Sequence, residues 1–202
     1  MRKIKIVLIL IFIVSSFQFQ ARALAEDITA PAEGPATPAG EWGRIIESKC
    51  CTILCGPDVD IFELNRKIKS PSYDILLGGI RYLGKNSSVE EQLAEKFDAI
   101  FRRVEKILDM YPRKIHLTVK IYKDQSQLDD SYVQLFGALD EKERITFYVH
   151  KYTTIYTTEQ SITEGVLAHE MGHAVVDHYF LILPPGKIKE LLSQVVEIHL
   201  KN

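Results

Sequence analysis

His169, Glu170 and His173 are the residues of this chain whose types and spacing speak most directly of chemistry. They form the run His169-Glu170-Met171-Gly172-His173, an HExxH pattern. Each residue of an α-helix advances about 100°, so His169 and His173 lie one turn apart on a single face. Two imidazoles at that separation can share one Zn2+ through bonds of about 2.0–2.1 Å. Glu170 is displaced around the axis, and its carboxylate can reach a water on the metal without taking a ligand position. Zinc lowers the pKa of such a water to about 7, and the glutamate can take its proton and pass it to a leaving amine.

This chemistry requires a helix, and the flanking residues supply one. Ser161 and Glu164 are spaced as a capping box, which predicts a helix from about Ile162. Val166-Leu167-Ala168 before the pattern and Ala174-Val175-Val176 after it are apolar, and Pro184-Pro185 ends the run. Gly172 inside a helix costs about 1 kcal/mol relative to Ala. A residue that small would allow close packing beside the metal. The bland alternative is two satisfied polar histidines on an ordinary helix.

Upstream, the elements alternate. Cys50–Cys55 reads as a strand ended by Gly56-Pro57, with Cys50, Cys51 and Cys55 as small buried hydrophobes rather than metal ligands. A short helix is expected over 60–68. Ser87 and Glu90, after Asn86, are spaced as a capping box for a long helix. Its stripe is Val89, Leu93, Phe97, Ile100, Phe101, Val104, Ile107 and Leu108, near period 3.6. Ile115, Leu117, Val119 and Ile121 alternate as a half-buried strand. A helix over 125–136 and a strand over 145–150 follow. This order is an α+β layout.

The N-terminus reads differently. A basic Met1–Lys5 segment, an apolar run from Ile6 to Val14 extending to Phe17, and Ala23-Leu24-Ala25 form a secretory signal pattern, cleaved after Ala25. The apolar stretch is shorter than the about 20 residues of a bilayer span, so no stable membrane span is expected after cleavage. Residues 1–25 are thus the expected signal, 26–41 an Ala/Pro-rich disordered spacer, and 42–202 one folded domain. The destination is the periplasm or the exterior. Net charge is -2, from 25 basic and 27 acidic residues, which offers no basis for nucleic-acid binding.

The segment from Val166 to Val175 resembles the active-site helix of the zincin metallopeptidases. The resemblance implies a small mixed sheet packed against the HExxH helix and a C-terminal glutamate helix, with a peptide or protein as substrate. Metzincins place Gly and His three and six residues after the second histidine. Val176 and Tyr179 stand there instead. Gluzincins, of which thermolysin is an example, take a glutamate from the next helix. Glu190 matches it, with Glu197 next in line, on a helix expected to bury Ile188, Leu191, Leu192, Val195 and Ile198. Asp177 lies on the metal-facing side, suited to orienting an imidazole, or to ligation if the helix end bends. His178 points half a turn away. Tyr148, Tyr152 and Tyr156 are the candidates to stabilise a tetrahedral oxyanion. The expected activity is an exported zinc metallopeptidase, acting on protein or on cell-envelope peptide. The alternative is a zinc-binding module of zincin fold with weak or no turnover.

Overall fold

Five short strands make one mixed sheet in the computed structural model, which describes residues 42–69, 87–139 and 145–200. These residues all fall in one unit of the chain. The expected signal at 1–25, the spacer at 26–41 and Asn86 lie outside them. Strands β1 (Arg44–Glu47) and β2 (Cys51–Cys55) pair antiparallel; β3 (Leu117–Tyr122) joins β2 in parallel. Strand β5 (Thr154–Thr158) lies parallel to β3, and β4 (Thr146–Val149) closes the order β1-β2-β3-β5-β4 as an antiparallel edge.

Among the described residues five helices cover the sheet: α1 (Ile61–Lys67), α2 (Val89–Leu108), α3 (Gln125–Phe136), α4 (Glu164–Tyr179) and α5 (Gly186–His199). The fold is therefore α+β. Period-2 alternation decides which face each helix covers. Cys51, Ile53 and Cys55 of β2, Val119 and Ile121 of β3 and Ile155 of β5 face the main core. There they meet Phe97, Ile100 and Val104 of α2 and Leu167, Met171 and Val175 of α4. Tyr122 and Tyr156 face the other way, against Leu128 of α3 and Trp42. None of the helices among the described residues is long and apolar enough to cross a membrane.

The cysteines pack as small hydrophobes. All three are unpaired and buried. The Cys51 thiol and burial push the Cys50 thiol far up, and burial takes Cys55 to about 12, so neither is a ready nucleophile. The buried Asp98 of α2 accepts from the Cys50 and Lys49 amides (2.9 and 3.2 Å), which fixes the β1–β2 turn to the helix.

Several expectations shift. The cap of α2 is Ser88, not Ser87: Ser88 and Glu91 bond each other's backbone amides in a reciprocal capping box. The cap of α4 is Thr163, whose hydroxyl accepts from the Val166 amide, and the helix begins at Glu164. Ser161 instead bonds Thr158 in the turn leaving β5, where Ile162 is buried. The strand expected over 145–150 stops at Val149; a 3-10 turn (His150–Tyr152) and a left-handed Thr153 reverse the chain into β5. Strand β3 is not half-buried, since Lys120 and Tyr122 are also covered.

The largest correction concerns α5. Its expected buried stripe is turned outward: Ile188, Leu191, Val195 and Ile198 are exposed, whereas Ser193 and Val196 are buried. The cause is the contact with α4. A Cβ at Gly172 would lie 3.0 Å from Ser193 Oγ and 3.3 Å from Ser193 Cα. The bare glycine lets the α5 backbone lie directly on α4 at Ser193.

Gly172→Ala therefore sets a helix-propensity gain of about 1 kcal/mol against overpacking of about 1–3 kcal/mol. The expected outcome is a net loss of about 1 kcal/mol, a fall in Tm of about 2–4 °C by calorimetry. A Tm at or above that of the parent protein would contradict a tight contact.

Candidate metal centre

Helix α4 presents His169 and His173 one turn apart, their ring centroids 4.9 Å apart and their planes at 75°. Helix α5 returns across them and lays Glu190 between the rings. Glu190 Oε1 is 3.7 Å from His169 Nε2, and Oε2 is 3.5 Å from His173 Nε2. One ligand atom from each of the three falls within 4.8 Å of the others. A tetrahedral site with bonds of about 2.0–2.1 Å has edges of about 3.3–3.4 Å between its ligand atoms. The two His–Glu distances stand close to that spacing, and the set could hold a metal ion. Gln194, one turn on, donates to Glu190 Oε1 at 3.0 Å and steadies the carboxylate.

Glu197 takes a different position. Its Oε2 lies 3.6 Å from His169 Nδ1, the ring nitrogen away from Glu190. A carboxylate there faces the nitrogen turned away from Glu190, where it would orient the imidazole of a metal-bound His169.

Glu170 sits beside the donors, only 8% exposed. Burial first, and then the Glu190 charge, push its carboxyl from the ordinary 4.5 to about 7; the Tyr148 backbone N–H on β4 opposes the shift. Burial and the neighbouring His169 hold His173 below its ordinary value, with Glu190 and Asp177 opposing. The neutral imidazole that results is the form that binds a metal.

The cleft around these groups has a volume of about 510 Å3. Thr146, Tyr148 and His150 form its strand side; Asp177 and Lys189 lie at the C-terminal end of α4. Asp177 is buried, with Lys189 Nζ at 3.0 and 3.3 Å and His150 Nδ1 at 3.5 Å. These are its direct partners, and it acts on His173 only through space. His178 turns away from the cleft, its Nδ1 2.9 Å from the Ala174 carbonyl oxygen and its Nε2 3.4 Å from Thr153 Oγ1.

Of the three tyrosines, Tyr148 alone reaches the cleft. Its hydroxyl is buried without a well-formed hydrogen bond. Burial and the Asp177 charge push that phenol upward, with Thr153 opposing. Tyr156 lies on the opposite face of the sheet, stacked on its cross-strand neighbour Phe147 at 4.9 Å. Tyr152 sits in the 3-10 turn with Lys151 over its ring. Neither is brought to the histidines: Tyr156 because β5 sends alternate side chains to opposite faces, and Tyr152 because it lies in the turn beyond β4.

His150, Lys189 and Gln194 escaped the sequence reading as site residues. Only Gln194 left a local trace, its i+4 spacing from Glu190. The other two meet Asp177 solely through tertiary packing. A scan of protein-family models, a search of curated proteins and a search of solved structures each find no match to this chain.

Two outcomes follow from this geometry. By zinc titration, Glu190→Ala should lose stoichiometric binding, whereas Glu197→Ala should weaken it only about 10–100-fold. Equal losses would remove the distinction between ligand and orienting group. The second concerns stability after chelator treatment. The folded Glu170 value lies above the unfolded one, so its contribution is fully present below about pH 4.5 and lost as pH rises through about 7. Glu170→Gln should then be more stable than the parent near pH 8, by on the order of 2 kcal/mol, and should lose that advantage near pH 4.5. A pH-independent difference would refute the burial argument.

Proposed function

We propose that this chain is an exported zinc-dependent metallopeptidase of the gluzincin kind, with His169, His173 and Glu190 as ligands and Glu170 as general base. The observation that carries the reading is a buried glutamate adjoining a two-histidine, one-carboxylate donor set within one cleft. Two imidazoles favour zinc over the hard, oxygen-seeking cations. Three protein ligands match a catalytic site, since a structural zinc site is closed by four and has no use for Glu170. The mixed sheet, with an antiparallel edge strand beside α4 and a glutamate helix returning over it, supports a zincin-like assignment.

A peptide substrate suits the strand side of the cleft. Among the described residues β4 is the edge strand bordering it, and an extended backbone can add to such an edge. Zinc in this donor set would lower the pKa of water to about 7 and polarise the scissile carbonyl. Glu170 takes the proton of the attacking water and delivers it to the amide nitrogen as the C–N bond breaks. Gln194 and Glu197 hold Glu190 and His169 in register. The basic, apolar and small-residue run over 1–25 supports export.

The alternative, a zincin-fold module that binds zinc with weak or no turnover, has one observation in its favour. The single candidate tyrosine in the cleft, Tyr148, has its hydroxyl buried. The two readings separate on Glu170→Gln, assayed for cleavage of an unfolded protein and for metal content. Under the peptidase reading the variant keeps about one equivalent of zinc and loses cleavage by about 100-fold or more. His173→Ala should lose the zinc itself. Stoichiometric zinc in His173→Ala would sink the metal assignment. A parent protein that binds zinc without cleaving would leave the inert module.

A further inference from the structure

Helix α5 is anchored unevenly. Its buried residues, Ser193 and Val196, stand at and beyond the Gly172 contact, and Arg103 of α2 donates to the His199 carbonyl at 3.3 Å. Glu190 lies on the other half. Residues 186–192 are exposed or half-buried, and Leu181 and Ile182 before the helix are exposed. Pro185, at the N-cap, supplies no side-chain bond to the first amides. Gln194 bonds Glu190 within the same helix, so it moves with α5 and does not place it against α4.

The tie on this half is Lys189, which reaches back to Asp177 of α4. Its Nζ is 3.0 Å from Asp177 Oδ1 and 3.3 Å from Oδ2. The Asp177 side chain is 2% exposed and that of Lys189 24%. A pair this far from water is screened less than a surface ion pair. Both charges also stand at the unfavourable ends of their helices. Asp177 is in the last turn of α4 and Lys189 near the start of α5, where the macrodipoles disfavour an acid and a base respectively. Neither charge suits its own helix, and each is offset by the other.

We propose that Lys189 is a positioning residue for the metal centre: its bond to Asp177 docks the first turns of α5 on α4 and so holds Glu190 across His169 and His173. The role presupposes the metal reading of this site. The Gly172–Ser193 contact alone is a pivot about which the start of α5 can swing. Lys189 is a second fixed point on the far side of Glu190, and the carboxylate lies between the two. His150 Nδ1, 3.5 Å from Asp177, joins the turn after β4 to the same anchor.

The sign of the effect separates position from charge. Lys189 is a cation beside a site for a cation, so by Coulomb interaction alone its removal would tighten zinc binding. Loss of a docking point does the reverse, because Glu190 leaves the spacing at which it can share an ion with the imidazoles.

The test is the zinc affinity of the purified protein, measured by competition with a chromophoric chelator. The variants are Lys189→Met, Lys189→Arg, and Asp177→Asn combined with Lys189→Met. The double variant keeps the net charge and leaves no unpaired buried carboxylate, so it reports on position even where Lys189→Met alone unfolds. Lys189→Met and the double variant should each raise the zinc dissociation constant about tenfold or more, with the far-UV circular dichroism of the parent. Lys189→Arg, which keeps the charge, should restore most of the affinity. Zinc binding as tight as the parent's, or tighter, in the double variant overturns the positioning role and leaves the ligand set standing. A parent protein that binds no zinc overturns the metal reading itself, and the positioning role with it.

Discussion

The contact between Gly172 of α4 and Ser193 of α5 governs more of this molecule than any other pair. With no Cβ at Gly172, the second helix lies against the first at backbone distance, and its rotation is set at that point. Glu190 and Glu197 then face the histidines, Val196 enters the core, and the apolar stripe of Ile188, Leu191, Val195 and Ile198 turns outward. The glycine lies inside the HExxH run itself. One small residue thus admits the helix that carries Glu190 and sets its rotation.

The strand side of the cleft depends on a hairpin. The 3-10 turn and left-handed Thr153 fold β4 back onto β5 and make β4 the edge strand among the described residues. That edge supplies the Tyr148 amide to Glu170 and places His150 near Asp177. The same geometry divides the tyrosines, since a residue facing α4 on one strand has neighbours along the strand that face α3. Burial at this junction also explains the high carboxyl value of Glu170 and the low imidazole value of His173, which lose water on the same side of the sheet.

Much of the local structure was legible in the chain. The range of α3 agrees with its reading to the residue, Asp60 caps α1 as a helix start there requires, and the cysteine run is a strand facing inward. Strand β5 was not legible. Thr154, Thr157 and Thr158 are polar by composition yet buried, because each hydroxyl finds a local partner: Thr154 with the Tyr152 carbonyl, Thr157 with Thr146, Thr158 with Ser161. No alternation marks a strand whose two faces are both covered. The caps slipped because Ser87 and Ser88, or Ser161 and Thr163, offer equivalent hydroxyls. Only the packing of Ile162 decides between the latter two.

His169, Glu170 and His173 were determined by the sequence alone, since four-residue spacing on a helix forces their arrangement whatever surrounds them. Glu190 was readable as a candidate, but its distance to the rings is a property of how two helices meet. Periodicity marks an apolar stripe without saying what covers it, and in α5 the obvious stripe is the exposed one. Tertiary structure alone decided that rotation, the company of Asp177, the orienting position of Glu197 and the exclusion of Tyr156. Each depends on contacts between elements distant in the chain, and local spacing carries no record of them.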